Sequence, residues 1–336
     1  MPGEHPFITI GIASYNYAST LEKAFAHIRK QKFTDYEVLY CDDGSKDDSV
    51  EVIRTLIANN PDITIRIMEW ENSGVMANKQ RILDNARGEY VMLCDADDWM
   101  DDDCLEVLAE AAKRSQADRV VSEIKNVDEE GRLLHMQKFS KYPNKWSEEL
   151  HHGALYRRAT LLEHNLRFTN HIPDDFCFIT NFNVYAKKTE FVFRSVYNWY
   201  IHIDSTSRAN LLNSEWKGIK MVENVLKQAQ RVKPQIGPLD QLQLQAECIK
   251  KYYYYLIQVA AGRSLKEQKT LYQQMRELMR RYEPDYLKNK YIRLWTRGPY
   301  MRKLHLEIWL LALSEKLHMT PILLKCVSAV FGDKLL

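Results

Sequence analysis

No segment of this chain is apolar for long enough to suggest a bilayer span. The best apolar run, Ile308 to Leu313, is six residues, where about 18 are needed. Cysteine is sparse: the six, at Cys41, Cys94, Cys104, Cys177, Cys248 and Cys326, are far apart and include no Cys-x-x-Cys pair. That excludes a dense disulfide framework and the usual zinc spacing, and fits reduced thiols in a cytosolic protein. Gly-x-Gly-x-x-Gly is absent, as is a glycine-rich loop carrying lysine, so neither a dinucleotide fingerprint nor a P-loop is supported. Net charge is nearly absent too. The 47 Lys+Arg and 45 Asp+Glu leave +2, which argues against bulk coating of nucleic acid, and no nucleic-acid partner is expected. The opening Met1-Pro-Gly-Glu-His-Pro6 has no basic segment leading into an apolar core, so no secretory signal is expected and a cytoplasmic location is.

What is present suffices for a large core: 336 residues, 45% hydrophobic and 27% charged, a length that suggests two domains. The near-zero charge hides an asymmetry. Residues 286–336 hold nine Lys/Arg and three Asp/Glu, while the first 285 hold 38 and 42. A basic tail follows a mildly acidic body.

The body alternates apolar runs with amphipathic stretches. Strands are predicted at Phe7–Ala13, Tyr36–Cys41, Ile63–Met68, Tyr90–Cys94 and Arg119–Ile124, and helices at Thr20–Lys30, Ser45–Ala58, Met76–Ala86 and Asp102–Arg114. Such β-α-β alternation implies an α/β fold, a mostly parallel sheet with helices on both faces. Ligands of these sheets sit beyond the carboxyl ends of the strands. Residues 126–205 are less regular, with a hairpin at Gly131 and strand-like Phe191–Val196 and Trp199–Ile203. From Asn210 the pattern is helical, with an apolar stripe at Trp216, Ile219, Val222, Val225 and Leu226 and another at Ile249, Tyr252, Tyr253, Leu256 and Val259. The expected division is 1–208 and 209–336.

The strand ends carry the chemistry. Ala13-Ser-Tyr-Asn16 follows the first strand, Asp42-Asp-Gly-Ser45 the second, and Asp95-Ala-Asp-Asp98 the fourth. Carboxylates at alternate positions just beyond a buried strand can converge on a hard divalent cation such as Mg²⁺ or Mn²⁺, which keeps open positions for phosphate oxygens. The plainer alternative is helix capping, by Asp98 or Asp101 for one helix and Asp47 or Ser45 for another. Two acidic turns at neighbouring strand ends favour the cation.

Together these residues resemble the family 2 glycosyltransferases of the GT-A fold, over about residues 6–208. The resemblance rests on Tyr15-Asn16, Asp42-Asp-Gly-Ser-Lys-Asp-Asp-Ser49, Asn72-Ser-Gly74, and Gly88-Glu-Tyr90 leading into Asp95-Ala-Asp-Asp98. It implies that Ala13, Tyr15, Asp42 and Asp43 hold a uridine and that Asp95 and Asp97 bind metal and diphosphate. Asn78-Lys79-Gln80 stands where many relatives have Ala-Arg-Asn, so Lys79 keeps the charge of a phosphate contact and loses its planar fork. His171-Ile-Pro-Asp-Asp175 is similar to the family's acidic pair. That makes Asp175 the expected base for the acceptor hydroxyl and Asp174 an orienting partner; capping of a helix over Phe176–Phe182 is the alternative. Tyr200-Ile-His-Ile-Asp-Ser-Thr-Ser207 resembles the segment that closes many such sites, with His202 a third metal ligand and Ser207 a diphosphate contact. Gly153, after His151-His152, resembles the glycine loop beside the acceptor, or is an ordinary turn. Trp146, Trp199 and Tyr200 are either sugar-stacking surfaces or core. Gln-x-x-Arg-Trp is absent, which disfavours the processive synthases.

The tail interleaves Lys288, Lys290, Arg293, Arg297, Arg302 and Lys303 with Tyr286, Tyr291, Trp295 and Tyr300. Leu304, Ile308, Leu311 and Leu317 then continue a helical stripe, and Ile322, Leu323, Val327, Val330 and Phe331 another. Residues 286–331 suit an anionic membrane surface, or else they pack on the protein or on a second copy. The expected function is a metal-dependent inverting transfer from a nucleotide sugar, UDP-linked, to a hydroxyl of a surface glycan, teichoic acid or glycolipid. The expected place is the inner face of the membrane. A nucleotidyltransferase or a non-catalytic binding scaffold are the alternatives.

Overall fold

The computed structural model describes residues 5–148, 150–169, 173–201 and 215–326. The chain forms two compact units. One comprises residues 1–138, 150–170 and 181–202; the other comprises 139–149, 171–180 and 203–336. Segments 139–149 and 171–180 belong to the second unit although they lie within the first 200 residues.

The first unit opens with β1 (Ile8–Ser14), α1 (Ala18–Arg29), β2 (Tyr36–Asp42), α2 (Ser49–Asn59), β3 (Ile65–Glu69), α3 (Val75–Asn85) and β4 (Tyr90–Asp95). All seven residues of β1 are buried, as a central strand covered on both faces requires. Helix α1 buries Leu21, Ala24, Phe25 and Ile28, one face at helical spacing. Leu21, Phe25 and Ile28 join Ile8, Ile10, Ile12, Val38, Tyr40 and Met92 in the core. Gly11 allows α3 to come close, because a Cβ there would lie 2.1 Å from Ile82 Cγ2. A corner of this layer is pinned by Glu37, which accepts from Thr9 Oγ1 at 2.7 Å and from Arg66 Nε at 2.8 Å.

The chain continues through β5 (Trp99–Met100), α4 (Cys104–Ser115), β6 (Arg119–Val127), β7 (Leu133–Gln137), β8 (Ala154–Arg157), α5 (Arg158–Glu163), α6 (Asp174–Tyr185) and β9 (Thr189–Tyr200). The sheet runs β3-β2-β1-β4-β8-β6-β9-β5, with β7 against β6. Parallel pairing holds from β3 to β4, as expected from the alternation. Beyond β4 the sheet is mixed. The β6–β7 hairpin turns at Gly131 and the chain returns as β8, antiparallel to both β4 and β6. The expected strand-like segment Phe191–Val196 and the first two residues of Trp199–Ile203 belong to one strand, β9, parallel to β6 with register shifts at Ser122–Ile124, while residues 202 and 203 lie outside the described residues.

Besides residues 174–180 of α6, the second unit holds the helices α7 (Glu215–Val232), α8 (Pro238–Ala260), α9 (Leu265–Tyr282) and α10 (Arg302–Lys316). Pro238 takes the first helical position of α8 after Gly237, where its missing N–H costs nothing. The expected stripe Ile249, Tyr252, Tyr253, Leu256 and Val259 is buried. Glu315 of α10 is buried as well, held by Arg276 Nε at 3.0 Å and by the hydroxyls of Tyr253 and Tyr286. Trp146 is core, its Nε1 donating to Asp240 Oδ1 at 2.8 Å. No described helix is long and apolar enough to cross a membrane.

Candidate active site

Parallel register sets the strand ends level: Ala13 pairs with Cys41 on one side and Asp95 on the other, and Ser14 with Asp42. Three loops therefore start from one line at the carboxyl edge. Asn78, from α3, ties two of them down, its amide donating to the carbonyls of Cys41 at 2.8 Å and Ser14 at 3.3 Å. The Tyr15-Asn16 turn is laced to the next loop: the Asn16 N–H donates to Ser45 Oγ, and Asn16 Oδ1 accepts from the Lys46 N–H.

Asp42 and Asp43 are buried. Asp42 accepts from the Ser45 N–H and hydroxyl. Asp43 accepts from the N–H groups of Ser73 and Gly74 and from Arg81 Nη1 at 2.9 Å. The two carboxylates thus set the shape of the Asp42–Ser45 and Asn72–Gly74 turns, beside an exposed Tyr15. Neither is spent on a helix cap.

The Asp95–Asp98 turn is where charge concentrates. Asp98 does not cap α4, which begins after Asp103. Instead it accepts from the Tyr197 hydroxyl and the Tyr200 N–H, each at 2.9 Å. Asp95, a third of whose side chain is exposed, faces two histidines: its Oδ2 lies 3.2 Å from His152 Nε2 and its Oδ1 3.6 Å from His151 Nε2. Lys79 is buried beside them, its Nζ 3.3 Å from His151 Nε2 and 3.9 Å from Asp95 Oδ1. Ligand atoms of Asp95, His151 and His152 all lie within 4.8 Å of one another. Asp97, half-buried in the same turn, is not in that group.

The histidine pair is held from several sides. Their rings stack at 4.1 Å, and Trp199 stacks on His152 at 4.8 Å and 19°. Arg119, fully buried, donates from Nη2 to the Leu150 carbonyl at 3.1 Å and lies over the Tyr156 ring. Gly153 turns the chain into β8 with φ +61; a Cβ there would meet Ser122 Oγ at 2.5 Å. Trp199 is therefore a support for a site residue.

Titration directions report the local charge. Burial pushes the Asp98 carboxyl well above its usual range, and the charges of Asp95 and Asp97 add to it. The Tyr17 hydroxyl is pushed up by burial and by Asp97, Asp95 and Asp98. Tyr197 moves the same way, from burial and Asp98. Burial acts on Asp95 in the raising direction, but Lys79 and hydrogen bonds to His151 and His152 hold it well below the carboxylate range. Three carboxylates crowd one turn with one lysine beside them, a place that favours a further cation. An Asp and two imidazoles are donors suited to a divalent metal of the manganese-to-zinc series.

Of the expected site residues, the structure gathers Ala13, Asp42, Asp43, Lys79, Asp95 and Asp97 at the carboxyl edge, with Tyr15 exposed on the first loop. Asp174 and Asp175 form the first turn of α6, so neither is the residue before it. His202 and Ser207 lie outside the described residues. The sequence did not single out His151 and His152 as ligands, nor Tyr17, Arg119 or Trp199 as their surroundings. The adjacency of two histidines to Gly153 was the only signal.

A profile of "Glycosyl transferase family 2" matches residues 9–187. The chain is 28% identical over 237 residues to a chondroitin synthase of Pasteurella multocida, a match covering 68% of this chain and 24% of that protein. It spans only about a quarter of that relative's length. A cholesterol galactosyltransferase of Borreliella burgdorferi is 27% identical, with 66% of this chain and 67% of that protein covered. Among solved structures, S. aureus TarS 1–349 in complex with UDP-GlcNAc superposes with TM-score 0.69 at 15% identity, covering 94% of this chain and 89% of that one. That likeness is one of fold, GT-A.

Proposed function

The chain belongs to glycosyl transferase family 2, and on that premise we propose that it moves a sugar from a UDP-sugar to a hydroxyl of a surface glycan or lipid-linked acceptor, with inversion, at the cytoplasmic face of the membrane. The observation that carries the donor half is the gathering of His151 and His152, from the loop before β8, with Asp95 of the Asp-x-Asp turn, their ligand atoms all within 4.8 Å of one another. In this reading Asp95 and the two histidines hold a divalent metal, with Asp97 and His202 as further ligands by family resemblance. When bound, the metal supplies positive charge for the departing diphosphate. Two imidazoles among the donors favour Mn²⁺ over Mg²⁺, which prefers oxygen. Lys79 contributes a fixed positive charge beside the phosphates, with Ser207 as a further contact. Ala13, Tyr15, Asp42 and Asp43 hold the uridine, the last two by setting the turns around it.

The acceptor half rests on Asp175, the base that takes the hydroxyl proton as oxygen attacks the anomeric carbon, with Asp174 orienting the site. The UDP-GlcNAc of the TarS complex supports a uridine donor. The names of the two relatives support a glycan or lipid acceptor.

Thermal-shift titration with Mn²⁺, then with UDP-sugars, tests the donor half. Wild type should shift with metal plus nucleotide, and Asp95→Asn should lose the metal-dependent part. An undiminished shift in Asp95→Asn would remove the cluster as the metal site. Asp175→Asn should keep the shift and lose transfer by at least about a hundredfold; near-normal transfer would exclude it as the base.

A further inference from the structure

Helix α10 has a buried, mixed face and an apolar face on its other side. The inner face buries His305, Ile308, Leu311, Ala312 and Glu315. On the other side Leu306, Leu310, Leu313 and Leu317 recur at steps of four, three and four, so they fall in one stripe. Leu306, Leu310 and Leu317 are exposed and Leu313 half-buried. Exposed Met319 and Ile322 extend the apolar surface past the helix. The preceding loop folds onto the first turn of α10, where His305 Nε2 lies 2.9 Å from the Arg293 carbonyl. From that loop Trp295 stands out 91% exposed.

The exposed charges of this part of the chain are mostly of one sign. Among the exposed Lys, Arg, Asp and Glu of residues 286–326, eight are basic, from Lys288 to Lys325, and one is acidic, Glu307; of the eight, Lys288 is paired with Asp285 at 2.8 Å. We infer that this face of the second unit docks on an anionic lipid surface, with the leucine stripe and Trp295 entering the headgroup region. A stripe of leucines flanked by Lys and Arg, with Trp at its border, is the pattern of a helix lying in the membrane plane. A second copy fits less well, because a twofold contact sets the same patch against itself and would bring like charges together. This inference does not rest on the donor or metal reading, since it is read without turnover.

The test is sedimentation of the full chain with vesicles of phosphatidylcholine, with and without phosphatidylglycerol. Binding is expected only with the anionic lipid, and should weaken as salt is raised. Arg302→Glu with Lys303→Glu should lower it by about fivefold or more per residue. Leu306→Glu with Leu310→Glu should lower it at least about tenfold. Each variant is compared with wild type by thermal unfolding. Where the leucine pair fails to fold, Trp295→Ser replaces it, because removing so exposed a side chain leaves the core untouched. Absence of binding, equal binding to neutral vesicles, or wild-type binding by the folded variants would overturn the inference. So would concentration-dependent association in solution that the leucine variants abolish, which would assign the face to a second copy.

Discussion

At the scale of single residues, the site depends on a turn only glycine accommodates easily. Gly153 has φ +61, and a Cβ would press on Ser122 Oγ at 2.5 Å and Tyr197 Cβ at 3.1 Å. Both neighbours are constrained: Ser122 Oγ donates to the Gly153 carbonyl, and Tyr197 donates to Asp98. Gly153→Ala should therefore cost about 1–3 kcal/mol of stability and weaken Mn²⁺ binding by about tenfold or more by displacing His152. Isothermal titration with Mn²⁺ on the folded variant checks this; unchanged affinity would mean that the turn does not set the histidines. The residues here differ in how legible they were. Asp42, Asp43, Asp95 and Asp97 stand directly after apolar runs, so their place at strand ends could be read from the chain. His151 and His152 follow an irregular stretch, and no periodicity announces that β8 will lie beside β4.

At the scale of elements, the β-α-β alternation was readable because each strand is a short apolar run and each helix buries a stripe. Its limit was β8, four residues long and antiparallel to both neighbours, one of which, β4, lies more than fifty residues back in the chain. Tertiary pairing, with no local signal, brings the histidines to Asp95. Among elements whose connection can be tested, β1, β2, β3 and the turn before β4 meet at Glu37. It accepts from Thr9, Arg66 and the Arg87 N–H. Burial would raise its pKa, but Arg66, Thr9 and Arg87 together hold it below the ordinary 4.5. A carboxyl whose folded pKa is depressed contributes stability that is complete above its unfolded pKa. That contribution is lost as pH falls through the folded value. Wild type should thus lose more stability than Glu37→Gln between neutral pH and the acid range. Parallel acid losses in the two, measured by thermal unfolding, would remove Glu37 as the acid-sensitive pin.

At the scale of the whole molecule, the nearly cancelling charge is the sum of unlike parts. The acidic surplus lies in the first 285 residues and the basic surplus in the last 51. The two units have separate cores, one sheet-based and one built on Tyr252, Tyr253, Leu256 and the buried Glu315. Such a chain need not unfold in one step. A ligand bound by the first unit stabilises the state that binds it, by about 2.7 kcal/mol at a hundredfold excess over its dissociation constant. Hydrogen exchange with Mn²⁺ and UDP present should therefore slow at residues 13–17, 42–45, 95–98 and 151–153, together with the strands that lead into them. Helices α8 and α9 should exchange as in the free protein. If α8 and α9 slow by the same factor as β1 and β4, the two units open as one, and their division is structural without being energetic.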